Sequence, residues 1–391
     1  MGIMANSVSI TQFKVVGDFP QGDLFQWVGE CLDKYAFKNI EESADELSVG
    51  WVRTDDYQRS DFLLVQPFRR DRYLSFTLRK DQRKVPAQLL KFRQKARELV
   101  FLNENPSFFK VPKQKREDIR DAVKLELLAR ALPSPAMYDA VWNTNNGLLT
   151  LATTSAQTVD LFESEFKKSF PGLRLQIVHP FARAAACIPE ELMPALERSN
   201  LASSEAILDL IRANSWIGEE FLLWLLFRTV NGFAEFSVSG NGIFGSGEPF
   251  TAFMNDRLLL QARGEAGVQK VTVAGAQEDF REVLAALRMG KSITEATIHL
   301  EKDENAWKLT LKGELFQFAS FRSPAVQIEK DSTVDRYAEE EAVFFERMHL
   351  LEVGVQLFNS LYGTFMVERL GEGWQAKVDA IKGWLEDSTA D

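Results

Sequence analysis

Imidazole and thiol chemistry is scarce in this chain of 391 residues: three histidines, His179, His299 and His349, and two cysteines, Cys31 and Cys187. The histidines are far apart in sequence, and none stands in a metal-ligand or nucleophile–base motif. His349 and Glu352 could bracket an ion on one helical turn, but the further ligands of a zinc site are missing from the pattern. Gly240-Asn241-Gly242-Ile243-Phe244-Gly245 matches G-x-G-x-x-G literally. A dinucleotide site needs that run between a strand and a helix, whose N-terminus receives the pyrophosphate. Glu248-Pro249-Phe250 and a strand-like run follow instead, so the segment reads as a glycine-rich loop between strands. No G-x-x-x-x-G-K-[ST] is present, which removes the phosphate loop of an ATP-driven motor. Glu163, Glu165 and Lys167 form a carboxylate-x-lysine pattern. A nuclease converges acidic residues on Mg²⁺ to activate water, and such motifs normally lie on a strand pair. Here the pattern falls on a predicted helix and reads as a solvated face. The expectation is a protein without catalytic residues, metal or cofactor, with a Mg²⁺-dependent DNA nuclease as the enzymatic alternative.

Lysine and arginine are distributed in a more informative way. The net charge is −10, which by itself argues against binding a polyanion. Residues 69–130, however, hold 18 Lys and Arg against 8 Asp and Glu, leaving 28 basic and 48 acidic residues elsewhere. Such asymmetry is the footprint of an anion-binding surface on an acidic body. Arg116, Arg120 and Lys124 recur at helical spacing beside the apolar row Ile119, Val123 and Leu127. Their stems can lie on apolar surface while the charged heads face outward. Lys110, Lys113, Lys115 and Arg116 cluster, and Phe92, Phe101, Phe108 and Phe109 are interleaved with the charge. No base-reading signature accompanies them, so contact should be chiefly to phosphates and indifferent to sequence. A scaffold presenting a basic arm to an acidic protein partner is the remaining alternative.

The elements that must position these residues follow from periodicity and punctuation. An apolar fraction of 45% and a charged fraction of 26% are those of a globular protein. The longest apolar run, residues 221–227, is far short of the ~20 residues a membrane span needs. The N-terminus lacks the charged and apolar regions of a secretory signal, and two cysteines make no disulfide framework. A cytoplasmic protein is expected. Residues 7–16 read as a strand, 21–37 as a helix, and 47–52, 62–67 and 73–78 as strands. Pro86 opens a basic helix, residues 103–112 break it, and 112–132 resume it, which predicts a projecting basic helical hairpin. Asn-Gly at 146–147 marks a β-hairpin between 137–142 and 148–153, followed by a helix over 159–170 and a strand over 173–178. Residues 190–232 read as mostly helical, 233–321 as strands around one helix at 277–289. The end, from about Asp335, reads as helical, with Phe344, Phe345, Met348, Leu351, Val355 and Phe358 as its apolar face. The fold class is α+β, with antiparallel sheets packed with helices. Five segments result: a first α+β unit (1–85), the hairpin or tip (86–135), a second α+β unit (136–185), a mixed region (186–334) and a C-terminal helical segment (335–391).

Several stretches resemble one family. Gly50-Trp51-Val52, Arg83-Lys84-Val85-Pro86 opening a basic helix, and KQKREDIRDAVKLELLARALP running into VWNTNNGLLTLATTSAQ are similar to the bacterial recombination-associated protein RdgC family. The C-terminal EEEAVFFERMHLLEVGVQLFNSLYGTFMVERLGEGW resembles its longer, divergent branch. The resemblance implies a non-enzymatic protein whose horseshoe-shaped subunits pair into a closed homodimeric ring around duplex DNA. It further implies nucleoid association, DNA binding without marked sequence preference, and modulation of homologous recombination by competition with the recombinase RecA. The residues implied to line the hole or its tip are Arg79, Lys80, Arg83, Lys84, Lys91, Arg93, Lys95, Arg97, Lys110, Lys113, Lys115, Arg116, Arg120 and Lys124.

Overall fold

The computed structural model describes residues 2–43, 45–64, 68–204, 206–240, 242–264, 267–327 and 336–387. In chain order the elements begin with β1 (Ser7–Gly17), α1 (Leu24–Lys34), β2 (Leu47–Val52), β3 (Arg69–Arg70) and β4 (Tyr73–Arg83). Then come α2 (Ala87–Glu104), α3 (Lys113–Arg130), β5 (Pro133–Asn143), β6 (Leu148–Leu151), α4 (Ala156–Ser169) and β7 (Leu173–Ile177). Four helices follow: α5 (Pro180–Cys187), α6 (Met193–Ser199), α7 (Ile207–Ala213) and α8 (Trp216–Val230). Strands β8 (Glu235–Ser237), β9 (Pro249–Gly264) and β10 (Gly267–Val273) precede α9 (Arg281–Arg288). Strands β11 (Ser292–Lys302), β12 (Asn305–Lys312) and β13 (Gln317–Arg322) lead to α10 (Arg336–Leu370) and α11 (Trp374–Asp387). The fold class is α+β. Where the sequence suggests five segments, the chain groups into two compact units, one of residues 17–145 and 162–174, the other of 1–16, 146–161 and 175–391.

In the 17–145/162–174 unit an antiparallel sheet runs β2–β4–β5, with β3 folded back on β4. Helix α1 starts later than periodicity predicts because the Asp23 carboxylate accepts the backbone N–H of Phe25 at 2.9 Å, capping the helix there. Trp51 is the centre of the core. Its ring meets Phe76 and Phe162 edge-on, at 5.3 and 5.6 Å, and its indole N–H donates to Ser169 at 2.7 Å. Gly50 permits this approach, since a Cβ there would stand 2.5 Å from the Phe37 backbone. The expected strand at 62–67 does not form over 62–64. The Phe62 N–H donates to the Asp33 carboxylate at 3.3 Å instead of entering a ladder. Phe62 is buried while Leu63 and Leu64 are exposed, and Val65, Gln66 and Pro67 lie outside the described residues. Strand β4, expected to end at Leu78, continues to Arg83. Its arginines are held by polar groups of this unit rather than by water, as described below.

The other unit contains a sheet ordered β10–β9–β11–β12–β13–β1–β6, with β8 on β9. The pairings from β10 through β6 are antiparallel. Helix α10 buries Phe344, Met348, Leu351 and Phe358, as the expected apolar face requires, while Phe345 and Val355 are only partly covered. It also buries Arg347, Val353, Leu357, Leu361 and Tyr362, so the helix is enclosed on most sides rather than along one stripe. Gly354 lets the Trp307 ring lie against the helix: a Cβ there would be 2.6 Å from it. The Arg347 guanidinium donates to the Ile3 carbonyl at 2.9 Å and to the Ala5 carbonyl at 2.5 Å, and also to the Ser323 hydroxyl, tying the start of the chain to α10. Helix α9 begins only at Arg281 because Phe280 adopts φ 53°, a left-handed turn into the helix.

Candidate nucleic-acid interface

Helices α2 and α3 follow Pro86 and Pro112, which precede them in extended conformation and set their starting direction. Val111, Ile119 and Val123 are buried between them, with Leu90, Phe101, Leu102 and Leu127 packed around. Two charged pairs bridge the helices: Arg97 to Glu126 at 2.6 Å and Arg116 to Glu98 at 3.7 Å. The sequence predicts a hairpin. The structure brings the N-terminal halves of both helices to one cleft, of about 470 Å³, lined by Ala87, Leu90, Lys91 and Gln94 from α2 and by Lys113, Arg116, Glu117 and Arg120 from α3. Contacts between α2 and α3 also run further along both helices, through Arg97–Glu126 and Glu98–Arg116. The connection 105–112 is anchored by buried Val111.

Most residues expected at a DNA surface are exposed. Lys84, Lys91, Arg93, Lys95, Arg97, Lys110, Lys113, Lys115, Arg116, Arg120 and Lys124 all present their side chains to solvent, and Lys80 is half-buried. Lys115 also lies over the Phe101 ring, 5.8 Å from its centroid. The expected apolar row holds, with Ile119 and Val123 buried and Leu127 partly so. Two members of the expected set differ. Arg79 forms a two-pronged pair with Asp81, at 2.8 and 2.7 Å, donates to the Tyr57 carbonyl at 3.1 Å, and lies over the Phe37 ring. The hydrogen bond to Asp81 raises its already high pKa. Arg83 is 7% exposed and donates to the carbonyls of Ile40, Glu41, Ser43, Asp45 and Ala131. Both guanidinium groups have hydrogen-bond partners inside their own unit.

Sequence reading also missed a second face of α2. Leu89, Phe92, Leu99 and Val100 fall on the side of the helix away from α3 and are 41%, 70%, 55% and 53% exposed. A helix apolar on two opposite sides is unusual for one that only covers its own core. The signal was present as two superposed 3.6-residue rows, hidden by the charges between them. Phe108 and Phe109 are exposed beyond the end of the helix.

The other chemistry-bearing residues lie elsewhere in the fold. The glycine-rich loop is tied to α10, where the Gln356 amide bonds both the N–H and the carbonyl of Phe244 at 3.0 Å. Glu248 accepts the Gly245 N–H at 2.6 Å and pairs with Lys302 at 2.9 Å. Strand β9 follows the loop, as expected from sequence, so no helix starts there. Glu163, Glu165 and Lys167 lie on helix α4. His179 is buried ahead of α5, and desolvation lowers its pKa. His299 contacts Asp256 at 3.0 Å, and His349 is exposed on α10. Among the described residues no group of three or more His, Cys, Asp or Glu is placed to hold a metal ion, and no helix is long and apolar enough to cross a membrane.

The stretch that contains β2, β4 and the two basic helices is also the stretch with recognisable relatives. Residues 13–193 match the family model described as "Putative exonuclease, RdgC". Over these residues the chain is similar to the RdgC family. The RdgC match covers the basic helices α2 and α3 entirely and ends at the start of α6. Similarity to RdgC supports a DNA-binding role connected with recombination. No curated protein matches the chain significantly.

Proposed function

We propose that this protein binds double-stranded DNA through its phosphates, without reading sequence and without cutting the strand. It acts as a homodimer closed around the duplex, associates with the nucleoid, and modulates homologous recombination by competing with RecA. The observation that carries the reading is the set of exposed cations on and beside α2 and α3, standing on an acidic protein and lying within the RdgC match. The outward apolar row of Leu89, Phe92, Leu99 and Val100 supports the dimer, because a second copy offers the same row in return.

The test is a salt-titrated duplex-binding measurement. Affinity falls steeply with salt, with a log–log slope of about −0.9 for each phosphate neutralised. Replacing Lys113, Lys115 and Arg116 together by Ala weakens binding alike on unrelated sequences. Unchanged affinity and an unchanged slope in that variant would overturn this location of the interface. The family description names an exonuclease, so the same protein is incubated with end-labelled linear duplex and Mg²⁺ or Mn²⁺. Intact DNA is expected, and loss of label in proportion to enzyme would replace binding with nuclease action.

A further inference from the structure

We propose that the cleft between the N-terminal halves of α2 and α3 is a discrete seat for a backbone phosphodiester, with Lys91, Lys113, Arg116 and Arg120 as its cationic lining. The inference deepens the DNA-binding reading and rests on it. It narrows a broad basic surface to one place where a phosphate group is surrounded rather than merely approached.

Three features single out this cleft from the other exposed cations. First, four cations from two different helices line one concavity of about 470 Å³, and a phosphate there would be met from several sides at once. Second, those charges are poorly neutralised by the protein. Among the described residues Lys91, Lys113 and Arg120 form no ion pair, and Arg116 reaches Glu98 only at 3.7 Å. Glu117 is the single carboxylate in the lining. Arg97, by contrast, is matched by Glu126 at 2.6 Å. Third, the lining is not made of charge alone. Ala87 and Leu90 contribute apolar surface, Leu90 packs on the buried Val111–Ile119–Val123 cluster, and the Gln94 amide, which gives one hydrogen to Glu98 at 2.8 Å, keeps a second N–H that can donate to an ester oxygen. Arginine offers paired N–H groups that fit two phosphate oxygens, while lysine adds point charges that bind without demanding one orientation. Such a lining grips a phosphodiester and ignores the base attached to it.

Two triple variants with the same loss of charge decide the matter: Lys91→Gln/Lys113→Gln/Arg120→Gln in the cleft, and Lys84→Gln/Lys95→Gln/Lys110→Gln on the surrounding surface. All six side chains are exposed, so neither triple removes core packing. The expected result is that the cleft triple loses roughly tenfold or more in duplex affinity and flattens the salt slope by about 0.9 or more. The surface triple loses markedly less. Equal losses in the two would overturn the seat and leave a diffuse DNA surface standing. Failure of the unaltered protein to retard duplex at low salt would instead sink the parent reading. A calorimetric titration with inorganic pyrophosphate separates the source of the phosphate. Weak or no binding is expected, and tight binding that leaves duplex affinity untouched would assign the cleft to a free phosphate compound and overturn the proposal.

Discussion

Five backbone carbonyls converge on the Arg83 guanidinium, from Ile40, Glu41, Ser43, Asp45 and Ala131. Read in sequence, Arg83 is one more cation at the start of a basic segment. In the structure it closes two loops onto the end of β4, and the buried guanidinium is satisfied by carbonyls that are partly buried with it. Replacing it by Leu should therefore cost about 2 kcal/mol, the usual penalty of unsatisfied buried polar groups. The midpoint of denaturant unfolding measures that loss. Duplex affinity of the folded protein should stay within about twofold, because one phosphate contact fewer would already lower the salt slope by about 0.9. A lowered slope in a stably folded variant would return Arg83 to the DNA surface.

At the scale of elements, irregularity concentrates where β9 meets β11. The register slips between Ala296 and Ile298 and leaves residues 255–257 bulged out of the ladder, with Asp256 at φ 66°. The Asp256 carboxylate accepts from Lys308 at 2.6 Å and contacts His299 at 3.0 Å, and Asn255 caps the turn by accepting the Gln277 N–H at 2.9 Å. The hydrogen bond from Lys308 holds the Asp256 carboxyl below its ordinary pKa. A carboxyl depressed in the folded state stabilises above its unfolded pKa of roughly 3.9, and that stability disappears as pH falls through the lower folded value. Asp256→Asn should accordingly be less stable than the native chain at pH 7, by no more than about 1 kcal/mol for so exposed a pair. The difference should shrink as pH falls below the ordinary carboxyl range and vanish once Asp256 is protonated in the folded state. Unfolding midpoints of both proteins across pH 2–7 check this, and a constant offset over that range would show that the carboxylate's charge contributes nothing.

For the whole molecule, the basic excess and the exposed apolar row of α2 fall in the same stretch of chain, residues 69–130. The acidic excess lies outside residues 69–130, and the exposed apolar row lies on α2 within them. Phe92→Glu/Leu99→Glu places two carboxylates on that row without touching the face that packs against α3. The expected outcome is a fall from dimeric to monomeric mass by light scattering, with helix content unchanged, and a loss of salt-resistant DNA retention. A dimer that persists in this variant would show that copies associate elsewhere. Native protein that is monomeric at micromolar concentration would remove the closed dimer altogether.

Much of the architecture was legible without coordinates because its signals are local. The strands at Leu47–Val52 and Ser7–Gly17, both basic helices and the Asn-Gly hairpin depend on alternation, periodicity and turn chemistry within a few residues. The charge excess over 69–130 is equally local, and exposure of most of its members follows from the cost of burying Lys or Arg without a partner. What depends on partners far away in the chain was not legible. Arg79 and Arg83 look like their neighbours until Tyr57, Ala131, Ile40, Glu41, Ser43 and Asp45 are brought beside them. The meeting of α2 and α3 around Val111, Ile119 and Val123 turns separate cations into a lined cleft. The sequence alone determined that an acidic protein carries a basic helical pair. Only the tertiary structure decided which cations face one another and which are already occupied, because a charge is silenced or left free by the groups that folding puts within hydrogen-bond reach.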